Sequence, residues 1–400
     1  MLKFIKDYNF KAKRVFVRSD FNVPIKRAKV VNDFRIRNSL ETIKYLRQEG
    51  AKIILASHLG RPMAEANIEK RKSEFSLSPV AVRLSKLLKS KVKFVPDCIG
   101  KTAEAESRNL KPGEILLLEN LRFYKGEEEN NEKFAKSLAK LADVYVNEAF
   151  SVCHRKHASI VLLPKILPAF AGFRVRKEIS VLTKIISDPA RPLVVIIGGA
   201  KVSSKIKVVR RFFSFADRLL FGGKIANAIL AKEGFYDGGP SFPKEEIGKE
   251  IDGLDLSSKK ILLPIDALIS SNDLKGNCNE LSASKKGFFD IKKGEEIYDI
   301  GARTIRLFSN VVSRAKTIFW AGPLGFYENK NFEKGTKQVG LAVIKNKTAL
   351  KVIGGGDTIS AFEKFGYLNK IDFVSSGGGA MLAFLSGDRL PGIEALKDKK

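Results

Sequence analysis

Lys351-Val352-Ile353 runs into Gly354-Gly355-Gly356-Asp357-Thr358, and further on Ile371-Asp372-Phe373-Val374 runs into Ser375-Ser376-Gly377-Gly378-Gly379. In both, an apolar β-type run ends in a triple glycine that opens a helix. Such a junction presents bare backbone N–H groups and a helix N-terminus to an anion. Glycine lets the backbone come within hydrogen-bonding distance of phosphate oxygens, and the helix macrodipole favours negative charge there. The chain therefore reads as one that grips phosphates with the ends of its strands.

Outward from these junctions the same alternation continues. A first series of apolar runs comprises Val15-Phe16-Val17, Ile53-Ile54-Leu55, Val92-Lys93-Phe94-Val95, Ile115-Leu116-Leu117-Leu118 and Val144-Tyr145-Val146. Helical periodicity fits the segments between them, near 35–49, 78–90, 101–109 and 131–141. A second series covers 193–197, 219–221, 261–263, 318–320, 351–353 and 371–374. Short apolar strands alternating with helices predict parallel sheets covered on both faces. The fold class expected is α/β, with two doubly wound, Rossmann-like parallel-sheet domains. Arg174 to Asp188 reads as one amphipathic helix stopped by Pro189 and Pro192, and is the expected connector.

The chain has 400 residues, enough for two such cores. No stretch approaches the roughly 18 uninterrupted apolar residues of a membrane span. Met1-Leu2-Lys3-Phe4-Ile5-Lys6-Asp7 carries charges where a signal peptide needs an apolar region. Cys98, Cys153 and Cys278 are few and scattered, which points to a reducing cytoplasm. The 72 basic against 44 acidic residues give a formal charge of +28, which raises a polyanion as partner. The lysines are spread along the whole chain, however, with no aromatic-interleaved basic stripe, so specific nucleic-acid recognition is not expected. The Glu127-Glu128-Glu129-Asn130-Asn131 run and the lysine-ended tail read as solvated surface.

Ligands of open α/β sheets bind beyond the carboxyl ends of the strands. In the first domain those ends deliver Arg18-Ser19-Asp20-Phe21-Asn22, Ser57-His58-Leu59-Gly60-Arg61, Glu119-Asn120-Leu121-Arg122 and the segment from Asn147 to His154-Arg155-Lys156-His157; Arg35 opens the first helix. Recurring guanidiniums with histidines suit a small, multiply anionic ligand, because arginine forks match carboxylate and phosphate. His154 and His157 could instead be a metal pair, but no cysteine or carboxylate set of zinc type accompanies them. In the second domain the strand ends deliver Gly198-Gly199-Ala200-Lys201-Val202-Ser203-Ser204-Lys205, Gly222-Gly223-Lys224, Pro264-Ile265-Asp266, Gly322-Pro323-Leu324-Gly325 and the two triple glycines. Lys201 and Lys205, four apart at a helix start, are expected to share one face and one anion. Asp357 is placed to hold a magnesium ion bridging phosphates.

Taken together, Arg18-Ser19-Asp20-Phe21-Asn22-Val23-Pro24, Ser57-His58-Leu59-Gly60-Arg61-Pro62, Glu119-Asn120-Leu121-Arg122, Gly198-Gly199-Ala200-Lys201-Val202, Gly354-Gly355-Gly356-Asp357-Thr358 and Ser376-Gly377-Gly378-Gly379 resemble the signatures of the phosphoglycerate kinases, in that family's order over nearly the whole chain. The resemblance implies a reversible, magnesium-dependent glycolytic transfer of the acyl phosphate of 1,3-bisphosphoglycerate to ADP, giving 3-phosphoglycerate and ATP. It implies a triose site of Asp20, Phe21, Asn22, Arg35, His58, Leu59, Gly60, Arg61, Arg122 and Arg155. The implied nucleotide site is Lys205, Glu328, Gly355, Gly356, Asp357 and Thr358, with Glu328 on the ribose and Asp357 on magnesium. Arg35, Lys201 and the N–H groups of Gly355 and Gly378 would surround the transferring phosphoryl group. The domains implied are 1–173 for the triose, 174–189 as interdomain helix, 190–380 for the nucleotide, and a tail over 381–400 returning to the first. Closure of the two domains would align the substrates and exclude water, and identical scattering curves with and without both substrates would overturn that. A cytoplasmic monomer is expected.

Three positions depart from the family pattern. Its Trp-Asn-Gly-Pro reads Trp320-Ala321-Gly322-Pro323, its Asp-Ile-Gly-Pro reads Asp299-Ile300-Gly301-Ala302, and Lys224 replaces a third glycine near the implied adenine pocket. The alternative these departures leave is a family member with weakened or redirected activity and polyanion binding.

Overall fold

The computed structural model describes residues 2–65, 67–201, 203–234, 255–271, 274, 279–282, 289–292 and 294–397. Val202, Cys278 and the final residues of the lysine-ended tail lie outside them. The chain divides into two compact units, Met1–Ser180 with Arg389–Lys400, and Val181–Asp388.

The first unit contains β1 Arg14–Arg18, β2 Ile25–Lys26, β3 Lys29–Val30, β4 Lys52–Ala56, β5 Val92–Val95, β6 Ile115–Leu118, β7 Val144–Asn147 and β8 Ala169–Ala171. Six of these form one sheet in the order β5-β6-β4-β1-β7-β8, every pair parallel, and β2 and β3 form a small hairpin. The Ile-Leu-Leu-Leu run of β6 is buried throughout, as a parallel strand with both faces covered requires. Side chains alternate across the sheet. Val15, Val17, Ile53, Leu55, Ile115 and Leu117 enter one core cluster, while Phe16 and Tyr145 leave it and stack at 6.1 Å.

The second unit contains β9 Leu193–Ile197, β10 Arg218–Phe221, β11 Ile261–Leu262, β12 Asp266–Ser271, β13 Asn279–Ser282, β14 Glu295–Ile300, β15 Thr317–Ala321, β16 Leu350–Gly354 and β17 Phe373–Ser375. Its parallel sheet has the order β11-β10-β9-β15-β16-β17. Val194, Ile196, Leu220, Ile318, Trp320 and Ile353 share one core. An antiparallel sheet, β13-β12-β14, was not expected from the sequence.

Two expected boundaries shift. The helix expected over 174–188 forms as Phe173–Ser187, but the division between units falls inside it, after Ser180. The tail expected from Met381 returns to the first unit only from Arg389. Residues 381–388 stay behind because the helix Gly379–Leu385 buries Ala380, Met381 and Leu385. Met381 packs so closely on Gly354 that a methyl group there would lie 2.2 Å from its sulfur.

Candidate active site

In the first unit the parallel register brings the ends of four strands to one edge. Arg18 closes β1 opposite Ala56 of β4 and Asn147 of β7, and Leu55 lies beside Leu117 of β6. The loops that follow interlock. Asp20 accepts from Ser151 Oγ at 2.6 Å and from the Arg35 guanidinium, and its other oxygen accepts the Asn22 N–H at 3.1 Å. Asn22 Oδ1 accepts from Gly60 N at 2.9 Å, and the Gly60 carbonyl accepts from Arg122 at 2.6 Å. Arg61 is exposed next to Gly60 and Arg155 is half-buried. Phe21 and Leu59 point into the core, so only their backbones face this edge. The Phe21 N–H goes to Ser57 Oγ at 2.8 Å and the Leu59 N–H to Asn120 Oδ1 at 3.2 Å.

The electrostatics of this edge are positive. His58 is buried with Nδ1 3.3 Å from the Arg18 guanidinium. Burial first, then Arg18, Arg122 and Arg35, hold it well below the usual imidazole range. His157 is pushed down to about 3 by burial and by Arg18, Arg122 and Arg155; burial and Arg155 lower His154 as well. Four guanidiniums thus act on neutral imidazoles at one sheet edge. Such an edge can hold a small polyanion and neutralise it without a titrating base.

Sequence reasoning missed what supports this layer. The Glu127–Asn131 run, read as solvated surface, contains a fully buried carboxylate. Glu127 lies in a short helix, Lys125–Glu128, and accepts from Ser159 N at 2.9 Å and Ser159 Oγ at 2.6 Å. The same hydroxyl accepts from Arg18 Nε at 2.8 Å. A buried arginine needs a buried acid, and Arg18 at the end of an apolar strand was the signal available to find it.

In the second unit the strand ends carry glycines of two physical kinds. At Gly198 a methyl group would lie 2.0 Å from the Pro323 carbonyl oxygen, and at Gly322 one would lie 2.1 Å from that of Gly198. These let the loops after β9 and β15 pack backbone on backbone, with the Gly199 N–H on Pro323 O at 2.7 Å. Around Gly356 and Gly378 a methyl group would meet nothing, and at Gly355 only Thr358 Oγ1 at 3.7 Å. Gly355 (φ +93°) and Gly378 (φ +51°) adopt backbone that favours glycine and cap the helices Gly356–Lys364 and Gly379–Leu385. For Gly356, with ordinary φ and free space, nothing in the protein itself demands a glycine.

Asp357 is exposed in the first turn of its helix, while Thr358 is buried and its hydroxyl accepts the Gly322 N–H at 2.6 Å. Lys205 donates to the Gly198 carbonyl at 2.7 Å. Burial pushes its pKa down to about 8, with Asp357 opposing and Lys201 assisting. Lys201 is not on the same helix face as expected. The helix begins at Ser203, so Lys201 precedes it, and the two lysines are coupled through space instead. A cleft of about 450 Å³ is lined by Gly199, Ala200, Asp357, Glu328, Tyr298 and Phe326 among others. Magnesium takes one or two carboxylates and completes its shell with phosphate oxygens and water, so Asp357 fits such an ion. Ala321 is buried at the end of β15, Lys224 lines the cleft, and Ala302 begins the helix Ala302–Ser313.

Residues 5–388 match the family model for phosphoglycerate kinase. Phosphoglycerate kinases of Dictyoglomus turgidum and Moorella thermoacetica are 42% and 43% identical, each over 99% of this chain and 98% and 99% of their own. Solved structures of the phosphoglycerate kinases of Coxiella burnetii and Pyrococcus horikoshii superpose with TM-scores of 0.83 and 0.84, at 34% and 32% identity over 99% of this chain and 99% and 98% of theirs. With both parallel sheets, the arginine-rich edge and the open glycines in place, the chain belongs to the phosphoglycerate kinase family.

Proposed function

We propose that this chain transfers the acyl phosphate of 1,3-bisphosphoglycerate to magnesium-bound ADP, reversibly, giving 3-phosphoglycerate and ATP in glycolysis. The first unit takes the triose through Asp20, Asn22, Arg35, His58, Arg61, Arg122 and Arg155, with backbone groups of Phe21, Leu59 and Gly60. The second takes the nucleotide through Lys205, Glu328 and the segment Gly355 to Thr358. The observation that carries the reading is the open space at Gly356 beside the exposed Asp357 carboxylate.

A β-phosphate oxygen of ADP forms the new P–O bond while the bond from phosphorus to the acyl oxygen breaks. The leaving group is a carboxylate, so no proton need move. Histidines held neutral suit that economy, because the site must position and neutralise rather than titrate. Arg35 acts on the phosphoryl group from the triose side. Lys201 and the N–H groups of Gly355 and Gly378 receive it on the nucleotide side. Magnesium at Asp357, when bound, neutralises phosphate charge. We place the protein in the cytoplasm as a monomer; Cys98 and Cys153 are buried free thiols, and among the described residues no helix is long and apolar enough to cross a membrane.

The test is magnesium-dependent formation of ADP from ATP on addition of 3-phosphoglycerate, with removal of the acyl phosphate and Arg35→Ala as control. Turnover that needs both substrates and is lost in the control supports the reading. Its absence in folded protein would favour a redirected family member.

A further inference from the structure

The cleft of the second unit carries features the transfer itself does not use. Phe326 is 39% exposed there, its ring 6.4 Å from that of Tyr298. An exposed aromatic face in a cleft is a platform for stacking a base. Lys224 lines the same cleft from the first turn of the helix Gly223–Lys232, where the macrodipole opposes a cation. It is exposed and makes no ion pair or side-chain hydrogen bond among the described residues. Neither packing nor capping accounts for it. The half-buried Glu296 lines the cleft too.

We propose that Lys224 is a specificity-determining residue that makes this cleft take 6-oxopurine nucleotides, GDP and IDP, at least as well as ADP. The inference rests on the nucleotide reading above and names the base. An ammonium group only donates hydrogen bonds. Guanine and hypoxanthine offer it two adjacent acceptors, O6 and N7, whereas adenine offers N7 beside an amino donor that repels it. A cation that only donates therefore matches the oxopurine's O6–N7 edge and mismatches adenine.

The experiment measures kcat/KM for GTP and for ATP with 3-phosphoglycerate, in the full chain and in Lys224→Gly and Lys224→Ala, alongside calorimetric Kd values for GDP and ADP. The expected GTP/ATP ratio is one or more in the parent and about tenfold lower in both variants, through loss on the guanine side. Melting temperatures should not change, because the side chain is exposed. A parent ratio clearly below one would overturn the proposal. So would variants that lose GDP and ADP affinity equally, since Lys224 would then serve the phosphates. If no nucleotide binds or turns over, the nucleotide reading itself falls and the base preference with it.

Discussion

Arg18 and Glu127 approach to 3.7 Å with neither side chain exposed to solvent. Arg18 in turn holds Ser159 and His58, so one buried ion pair fixes the floor beneath the arginine-rich edge. Removing the acid leaves a buried guanidinium uncompensated, which costs about 3–5 kcal/mol in comparable sites. Glu127→Ala should therefore lower the denaturation midpoint strongly. Glu128→Ala, which breaks a partly exposed pair with Arg122, should cost no more than about 1 kcal/mol. Urea unfolding of the two variants compares them directly, and equal losses would contradict the assignment.

The two kinds of glycine should separate stability from ligand binding. Gly356→Ala meets no atom of the protein and has ordinary backbone angles, so its melting temperature should hold or rise slightly. Its affinity for ADP should fall at least tenfold as the methyl group enters the phosphate site. Gly322→Ala drives a methyl group into the Gly198 carbonyl and should destabilise the second unit before any ligand is added. Calorimetric melting with and without nucleotide distinguishes the two.

Stability should peak on the acid side of neutrality. His157, pushed down to about 3, and His58, lowered in the same direction, contribute stability that is complete above the ordinary imidazole value, near 6.5. That contribution drains away as the pH falls from there toward 3. Glu148 and Asp299, both raised to about 8 by burial, act with the opposite sign. Theirs is complete below the ordinary carboxylate range and is lost as the pH rises toward 8. The slopes cancel between roughly 4.5 and 6.5, which sets the expected maximum. Glu148 also has a buried oxygen with no hydrogen-bond partner, as suits a carboxyl kept neutral. Melting temperatures from pH 4 to 9 should show the maximum, and Glu148→Gln should flatten the alkaline decline.

The family resemblance implies an asparagine where Ala321 stands. The missing amide is worth about 1 kcal/mol, so Ala321→Asn should tighten ADP binding about fivefold. An unchanged Kd would mean that the loop after β15 compensates in another way.

Parallel strands were legible because each is a short apolar run buried on both faces; β6 and β9 could hardly be anything else. The antiparallel sheet was not legible. The burial pattern of β13 is almost wholly exposed, and β14 is only half-buried until Asp299 and Ile300. Neither carries the apolar periodicity that marks a strand. Among site residues, those at strand ends followed from topology. Glu127 did not, since its burial depends on Arg18, a partner remote in sequence, and a run of acids between polar residues has no local sign of it. Lys201 was misplaced because spacing by four implies a shared face only where the helix has already begun.

The closing segment of the described chain binds the opening one. Leu2 bridges Lys397, and the Gly392 N–H reaches the Cys153 carbonyl at 2.8 Å. During synthesis the first unit thus leaves the ribosome early but lacks its final piece until residues 389–397 emerge. The contiguous second unit has all of its own residues before then. Emergence order and completion order are therefore inverted. A ribosome stalled anywhere in the second unit holds an unfinished first one, with the surface around Cys153 and Ile160, where Gly392 belongs, still open to chaperones and proteases.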